Sequence, residues 1–555
     1  MGLQGGKTKG VADADDDVSW FACIDEISKA GQIMRTEISN VDDICKKIYS
    51  RIKPQWWAAF LGCAIIGLLT YMYFMTNNFP TYDTMWNVYS DQDMLSSGRQ
   101  FLTYACGISS FYNLPWVNGV LAILFLALSS VAVTEGLGIR SRIGAVLTGG
   151  LLVAFPAISS TFCYIYTIDG YMLAVLLATL AFLLADRKKW GFVPGIFLLG
   201  ISMGIYQAYL SFTIVLCILR LLLDIISEEK TGVILGKIWR YVVMGIGSYG
   251  FYVISLKMML RIKDVEISGY QGTDRIGSFV LADIPRGLKA AWDNFINFAR
   301  WSNVLTTTEM MKYAFVVIVL CAVAMYLYLF IAKKRYTSFL RIVMMFALVA
   351  VTPFGATIVN VLSPDTHFHL LQRLPWALFF VFAVALCEEV SVDGGKVKSV
   401  IKKAVAYVTC LCAAILIFNF AVMANVVAFN MNERYEKTYA TCLRLVDRME
   451  QTEGYTARTK VAILGGFPDA TYYPPTDITT EDLVGYFGHN GELCVNSTEK
   501  YAEFMKHYLN VTITTIPLNE EIELTETEEF RNMPNFPQHG SVGFIGDVLV
   551  IKLNG

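Results

Sequence analysis

A chain of 555 residues would ordinarily make several soluble domains, but 55% hydrophobic and only 17% charged residues, with a mean hydropathy of +0.48, exclude that and point to a multi-spanning membrane protein. The formal net charge of -2 and the lack of a basic, aromatic-studded stretch argue against nucleic acid as a partner. The twelve cysteines form no CxxC pair and no His/Cys cluster of zinc spacing, which argues against a structural metal.

Residues 1–54 are polar and read as a cytoplasmic N-terminal segment. The part through Asp17 is rich in Gly and Asp and is expected to be disordered. Residues 20–34 and 38–52 mix apolar and charged side chains at helical spacing; they predict two helices that either lie along the inner membrane surface or form a hairpin away from lipid. The first 50 residues hold no continuous apolar core, so no cleavable signal peptide is expected.

Eleven apolar runs follow, at 56–75, 115–135, 143–160, 169–185, 191–205, 208–226, 238–260, 313–332, 339–362, 375–387 and 405–429. Each is long enough, or nearly so, to cross about 30 Å of hydrocarbon at about 1.5 Å per residue. Together they predict a transmembrane domain over residues 55–429. Under this count Arg140, Arg142, Arg187, Lys188, Lys189, Lys230, Arg240, Lys333, Arg335 and Arg341 fall on one side, and the opposite short loops are nearly free of Lys and Arg. The bias predicts a cytoplasmic N-terminus and an extracytoplasmic C-terminus. The extracytoplasmic loops then carry Asp83, Asp91, Asp93 and Arg99; Tyr164, Tyr166 and Asp169; Tyr206, Gln207 and Tyr209; and Asp365, His367, His369 and Arg373. An active site needs convergent polar and aromatic groups in a concavity, and one face supplies nearly all the candidates.

Within the outer segment 261–312, residues 284–301 are amphipathic, with Ala290, Trp292, Phe295, Phe298 and Trp301 at helical spacing. This helix either lies on the outer leaflet as a lid or lateral gate, or packs against the outer ends of the spans. Residues 430–555 switch to a charged composition, enough for one small α/β domain. Strands are expected at 461–464, 511–516 and 548–553, and helices at 433–450 and 498–508. Gly465 and Gly466 lack nucleotide-loop spacing and read as a turn. Cys442 and Cys494 leave open a disulfide or two free thiols.

The most informative stretch is 79–112, FPTYDTMWNVYSDQDMLSSGRQFLTYACGISSFY, between the first two apolar runs. A carboxylate there, partly desolvated by nearby hydrocarbon, suits a general base, and an arginine beside it suits a phosphate. Asp83 soon after the first span, followed by Ser97, Gly98 and Arg99 opening an apolar helix, resembles the bacterial polytopic glucosyltransferases that decorate O-antigens and related surface polysaccharides. Gln100 stands where that family usually has an aromatic residue or proline. Gly204, Ile205, Tyr206 and Gln207 resemble a second feature of the family.

The resemblance implies a GT-C-like, α-helical polytopic fold. It also implies a polyprenyl-phosphate-linked sugar donor, with glucose the expected hexose, and an extracytoplasmic glycopolymer acceptor. Asp83 is then the expected base of an inverting displacement, matching the family's acidic residue in the first outer loop. The leaving lipid phosphate gains charge, so Arg99 and Arg373, assisted by His367 and His369, are the expected donor-phosphate ligands. Asp91, Asp93, Tyr206 and Gln207 are the expected sugar or acceptor ligands. Asp91 and Asp93 also leave open a divalent cation, although solvated loop acids are the simpler account. Two other activities stay open: a polysaccharide polymerase, and a flippase or transporter of lipid-linked sugar. The latter asks for ionisable groups in the middle of the membrane, and the spans carry few.

Overall fold

The computed structural model describes residues 50, 52–269, 283–301, 303–392, 399–467 and 493–553. The chain divides into two units at residues 54 and 55. The two helices expected before Pro54 fall almost wholly outside the described residues, and the second unit is described below.

Its helices, in order, are α1 (Pro54–Thr76), the short α2 (Leu102–Cys106), α3 (Pro115–Leu137), α4 (Arg142–Ala154), α5 (Pro156–Phe162), α6 (Ile168–Arg187), α7 (Phe192–Ile205), α8 (Tyr209–Ile226) and α9 (Thr231–Lys263). The amphipathic α10 (Ile284–Trp301), then α11 (Glu309–Ala332), α12 (Phe339–Ala356), α13 (Ala377–Val392) and α14 (Ser399–Glu450) complete the bundle. Among the described residues nine helices are long and apolar enough to cross a membrane; α4 and α5 together form a further apolar helix pair bent by 45°, and α7 is a shorter apolar helix. Each of the eleven apolar runs expected from hydropathy falls on one of these helices or on the bent pair, and nine of them are long enough to span. The protein is a polytopic, mostly helical membrane protein.

Local chemistry sets the helix ends. Pro115 sits in the first turn of α3, where a missing N–H costs nothing, and Gly138 closes that helix at φ 77°. Ser141 caps α4 by accepting from the Gly144 amide at 3.0 Å. Pro156 cannot continue α4, so the crossing bends there. With lipid outside, helices associate by close packing of small residues. Gly149 of α4 meets the backbone of α1 so closely that a Cβ would lie 2.7 Å from the Ala59 carbonyl oxygen. Apolar side chains such as Leu61, Ile65 and Leu69 of α1 and Ile246 and Ile254 of α9 stay exposed on the outer faces, as a lipid surface requires.

Helix α10 packs on the bundle. Its Gly287, Ala291 and Phe298 are buried, Phe295 stacks on Trp376 at 4.6 Å, and Thr357 donates to the Ala291 carbonyl at 3.1 Å. Trp292, expected on the apolar face, is 47% exposed. Of the two placements open from sequence, packing against the ends of the spans is the one observed.

Helix α14 runs unbroken for 52 residues, so the expected helix at 433–450 is its continuation past residue 429. It enters a four-stranded sheet domain built of β1 (Lys460–Leu464), β2 (Thr514–Thr515), β3 (Val542–Ile545) and β4 (Val548–Lys552), with α15 (Thr498–Phe504) packed alongside. The strand order is β2-β1-β4-β3; β1 pairs parallel with β2 and β4, and β3 pairs antiparallel with β4. Strand β3 was not expected. Gly465 turns the chain after β1 at φ 88°. Cys442 and Cys494 are buried free thiols.

Candidate active site

One end of the bundle carries the loops after α1, α5, α7, α9 and α12, and they enclose a cavity of about 440 Å³, within the usual range for small-molecule sites. Its lining includes Asp83, Asn87, Arg99, Tyr164, Tyr166, Tyr171, Tyr206 and His369. Loops separated by hundreds of residues thus bring one carboxylate, one guanidinium, one imidazole and four phenols into a single concavity.

Asp83 opens a short 3-10 turn, Thr84–Trp86, and its backbone carbonyl accepts from the Trp86 amide at 3.2 Å and the Asn87 side-chain amide at 2.7 Å. Its carboxylate makes no hydrogen bond or ion pair with any described residue, and the residue is exposed. Its carboxylate oxygens are therefore open to a further donor.

Arg99 is presented by a built loop. Gly98 adopts φ 71°, a conformation that costs a residue with a Cβ. Gln207 donates to the Ser97 and Gly98 carbonyls at 3.1 and 2.9 Å, and the Tyr252 hydroxyl donates to Gly98 at 3.0 Å. The guanidinium donates to the Tyr171 hydroxyl at 3.0 Å and lies 5.1 Å over the Tyr206 ring, and Tyr206 stacks on Tyr171 at 4.6 Å. Gln100 is buried and donates to the Tyr252 carbonyl and Ser255 hydroxyl of α9 at 3.2 and 3.1 Å. It pins the same loop to α9 by hydrogen bonds.

The other expected site residues occupy different places. Gln207 supports the Arg99 loop from behind the cavity wall. His367 packs edge-on to His369, ring centroids 4.5 Å apart. Burial first, then His367 and Arg373, lower the His369 pKa below the ordinary imidazole value, which favours its neutral form. Arg373 donates to the Asn294 carbonyl at 3.1 Å and sits between the Phe298 and Phe368 rings, tying α10 to the 3-10 segment Leu370–Trp376. Asp93 pairs with Lys263 at 2.7 Å, and Asp91 accepts from the Asp93 amide at 3.2 Å. Both acids are exposed and neither is in the cavity lining. Among the described residues no group of three His, Cys, Asp or Glu side chains converges as a metal site would.

Residues 72–381, more than half of the chain, match the family model described as glucosyl transferase GtrII. The chain belongs to that family. It is therefore a membrane glucosyltransferase, acting between a sugar donor and an acceptor. No curated protein and no solved structure matches it. Both cavity-lining arms of the glucosyltransferase, Asp83 and Arg99, lie inside the matched stretch, as do Tyr206 and His369.

Several residues at the candidate site carried no assigned role from sequence. Tyr164 and Tyr166 stood out only as polar loop aromatics, and Tyr171, one turn into α6, looked like a span residue. Burial first, then Cys163 and Asp83, raise the Tyr164 pKa and hold its hydroxyl protonated. Lys500 of α15 was invisible as a site residue: its ammonium donates to the Tyr82 carbonyl at 2.5 Å, across 418 residues of chain.

Proposed function

We propose that this glucosyltransferase moves glucose from a polyprenyl-phosphate-linked donor to a cell-surface glycopolymer, on the extracytoplasmic side of a bacterial cell membrane, by inverting displacement. The observation that carries it is that Asp83, with an uncommitted carboxylate, and Arg99 share one cavity. In the proposed step Asp83 takes the proton of the acceptor hydroxyl as its oxygen bonds to the anomeric carbon. The bond from that carbon to the phosphate oxygen breaks, and its electron pair leaves with the lipid phosphate. The departing phosphate gains negative charge, which Arg99 meets. One carboxylate suffices, because no covalent enzyme intermediate forms.

A lipid-linked donor suits the surroundings of the cavity. An apolar groove of about 560 Å³ is lined by Phe295 of α10, by Phe315 and Ile318 of α11, by Met345 of α12 and by Trp376 and Phe379. Leu371 lines the polar cavity and Trp376 the groove, so one short segment separates a polar chamber from an apolar one. In this arrangement residues 1–54 are cytoplasmic, 55–429 form the membrane domain and 430–555 the extracytoplasmic domain.

The test is incubation of the purified protein with labelled polyprenyl-phosphoglucose and separated products. Transfer of single glucose units onto a glycopolymer is expected. Chain extension would identify a polymerase, and movement of the lipid across vesicles without transfer a flippase; either overturns the proposal.

A further inference from the structure

The loop that carries Asp83 is held from both sides by the C-terminal domain. On one side of Asp83, the Tyr82 hydroxyl donates to the Leu493 carbonyl at 3.3 Å, and the Tyr82 carbonyl receives the Lys500 ammonium. On the other side Met85 is 2% exposed and belongs to the buried apolar cluster of that domain, with Cys442, Leu445, Met449, Tyr501 and Phe504. The Lys500 ammonium also lies 4.2 Å over the Trp86 ring. Further out, Asn78 donates to the Tyr508 hydroxyl at 3.2 Å. Asp83 itself is left facing the cavity between these anchors.

We propose that the C-terminal domain is a working part of the site: Lys500, together with the socket that takes Met85, holds the 81–87 loop so that Asp83 faces the cavity, which makes Lys500 a positioning residue. The proposal rests on Asp83 being the base. Lys500, Leu493 and the socket residues all lie beyond residue 381, where the family match ends, so nothing in the matched stretch accounts for this clamp. The charged groups acting on Lys500 are Asp83 on the loop and Glu499 and Glu503 on its own helix; Arg434 of α14 lies 6.0 Å from the Tyr82 ring of the same loop. Burial lowers the Lys500 pKa, while Asp83 and the two glutamates draw it back up. A carbonyl and an aromatic face are both satisfied by a cation, so arginine is the conservative replacement and methionine the disruptive one.

The experiment is hydrogen exchange and kinetics on the full-length protein in detergent, comparing Lys500→Met, Lys500→Arg and Met85→Ala with the wild type. In Lys500→Met and Met85→Ala the Trp86 and Asn87 amides, bonded to the Asp83 and Thr84 carbonyls, are expected to exchange about tenfold faster or more, with β1 amides unchanged. Glucose turnover falls about tenfold or more while the donor KM is unchanged, and Lys500→Arg restores both readouts. Unchanged loop exchange in Lys500→Met overturns the clamp, whatever the activity. A loosened loop with full turnover would instead overturn Asp83 as the base, leaving the clamp in place.

Discussion

The two ends of the bundle use their acids in opposite ways. At the end away from the cavity, Asp186 and Asp224 are buried and fully engaged: Lys237 reaches them at 2.9 and 2.8 Å, Arg220 donates to Asp224, and the Tyr241 hydroxyl donates to Asp186 at 2.8 Å. At the cavity end Asp83 is exposed and its carboxylate makes no hydrogen bond or ion pair with a described residue. Acids that hold a fold are saturated with partners; an acid that must take a proton is kept open.

The largest effect should come from breaking the saturated end. Lys237→Ala leaves two buried carboxylates short of a cation, and the expected cost is about 3 to 5 kcal/mol, read as a lower melting temperature in detergent. A melting temperature equal to wild type would mean the cluster is hydrated and is not a lock. Next, Arg99→Ala is expected to weaken lipid-phosphate donor binding by about 10- to 100-fold, the worth of a charge-assisted hydrogen bond, with the melting temperature nearly unchanged. Unchanged donor affinity would remove Arg99 from the phosphate.

A smaller effect is pH-dependent. The His369 pKa in the folded protein lies below its unfolded value, so the unfolded chain binds more protons between the two. Stability is therefore fullest above the ordinary imidazole value and falls as pH drops through the window beneath it. His369→Gln should flatten that part of the melting-temperature profile; an unchanged slope would assign it to other groups. The smallest effect is expected at Asp93→Asn, which removes an exposed pair with Lys263 and should leave both melting temperature and turnover as they are. A large loss of turnover would bring Asp93 back as a substrate or cation ligand.

Hydropathy made the apolar helices legible because lipid imposes it on every crossing. It showed the packed face of α10 only in part: Phe295 and Phe298 meet the bundle as expected, Trp292 stays half exposed beside Phe354, and the buried Gly287 and Ala291 were not expected on that face. Close backbone approach selects small residues, which carry little hydropathy signal. Asp83, Arg99 and Tyr206 were legible through short motifs. The supporting role of Gln207 and the arrival of Lys500 were not, since both depend on tertiary contacts between distant segments. Strand β3 contains Gly543 and exists by pairing with β4, so local propensity said little about it.

The most direct test is single-turnover transfer from labelled polyprenyl-phosphoglucose by Asp83→Asn. The substitution keeps the side chain's size and the backbone contacts of the 3-10 turn, and removes the negative charge and with it the ability to take a proton. Transfer is expected to fall by about 10²- to 10⁴-fold, the usual contribution of a general base, with donor affinity and melting temperature unchanged. Transfer at the wild-type rate would contradict the account.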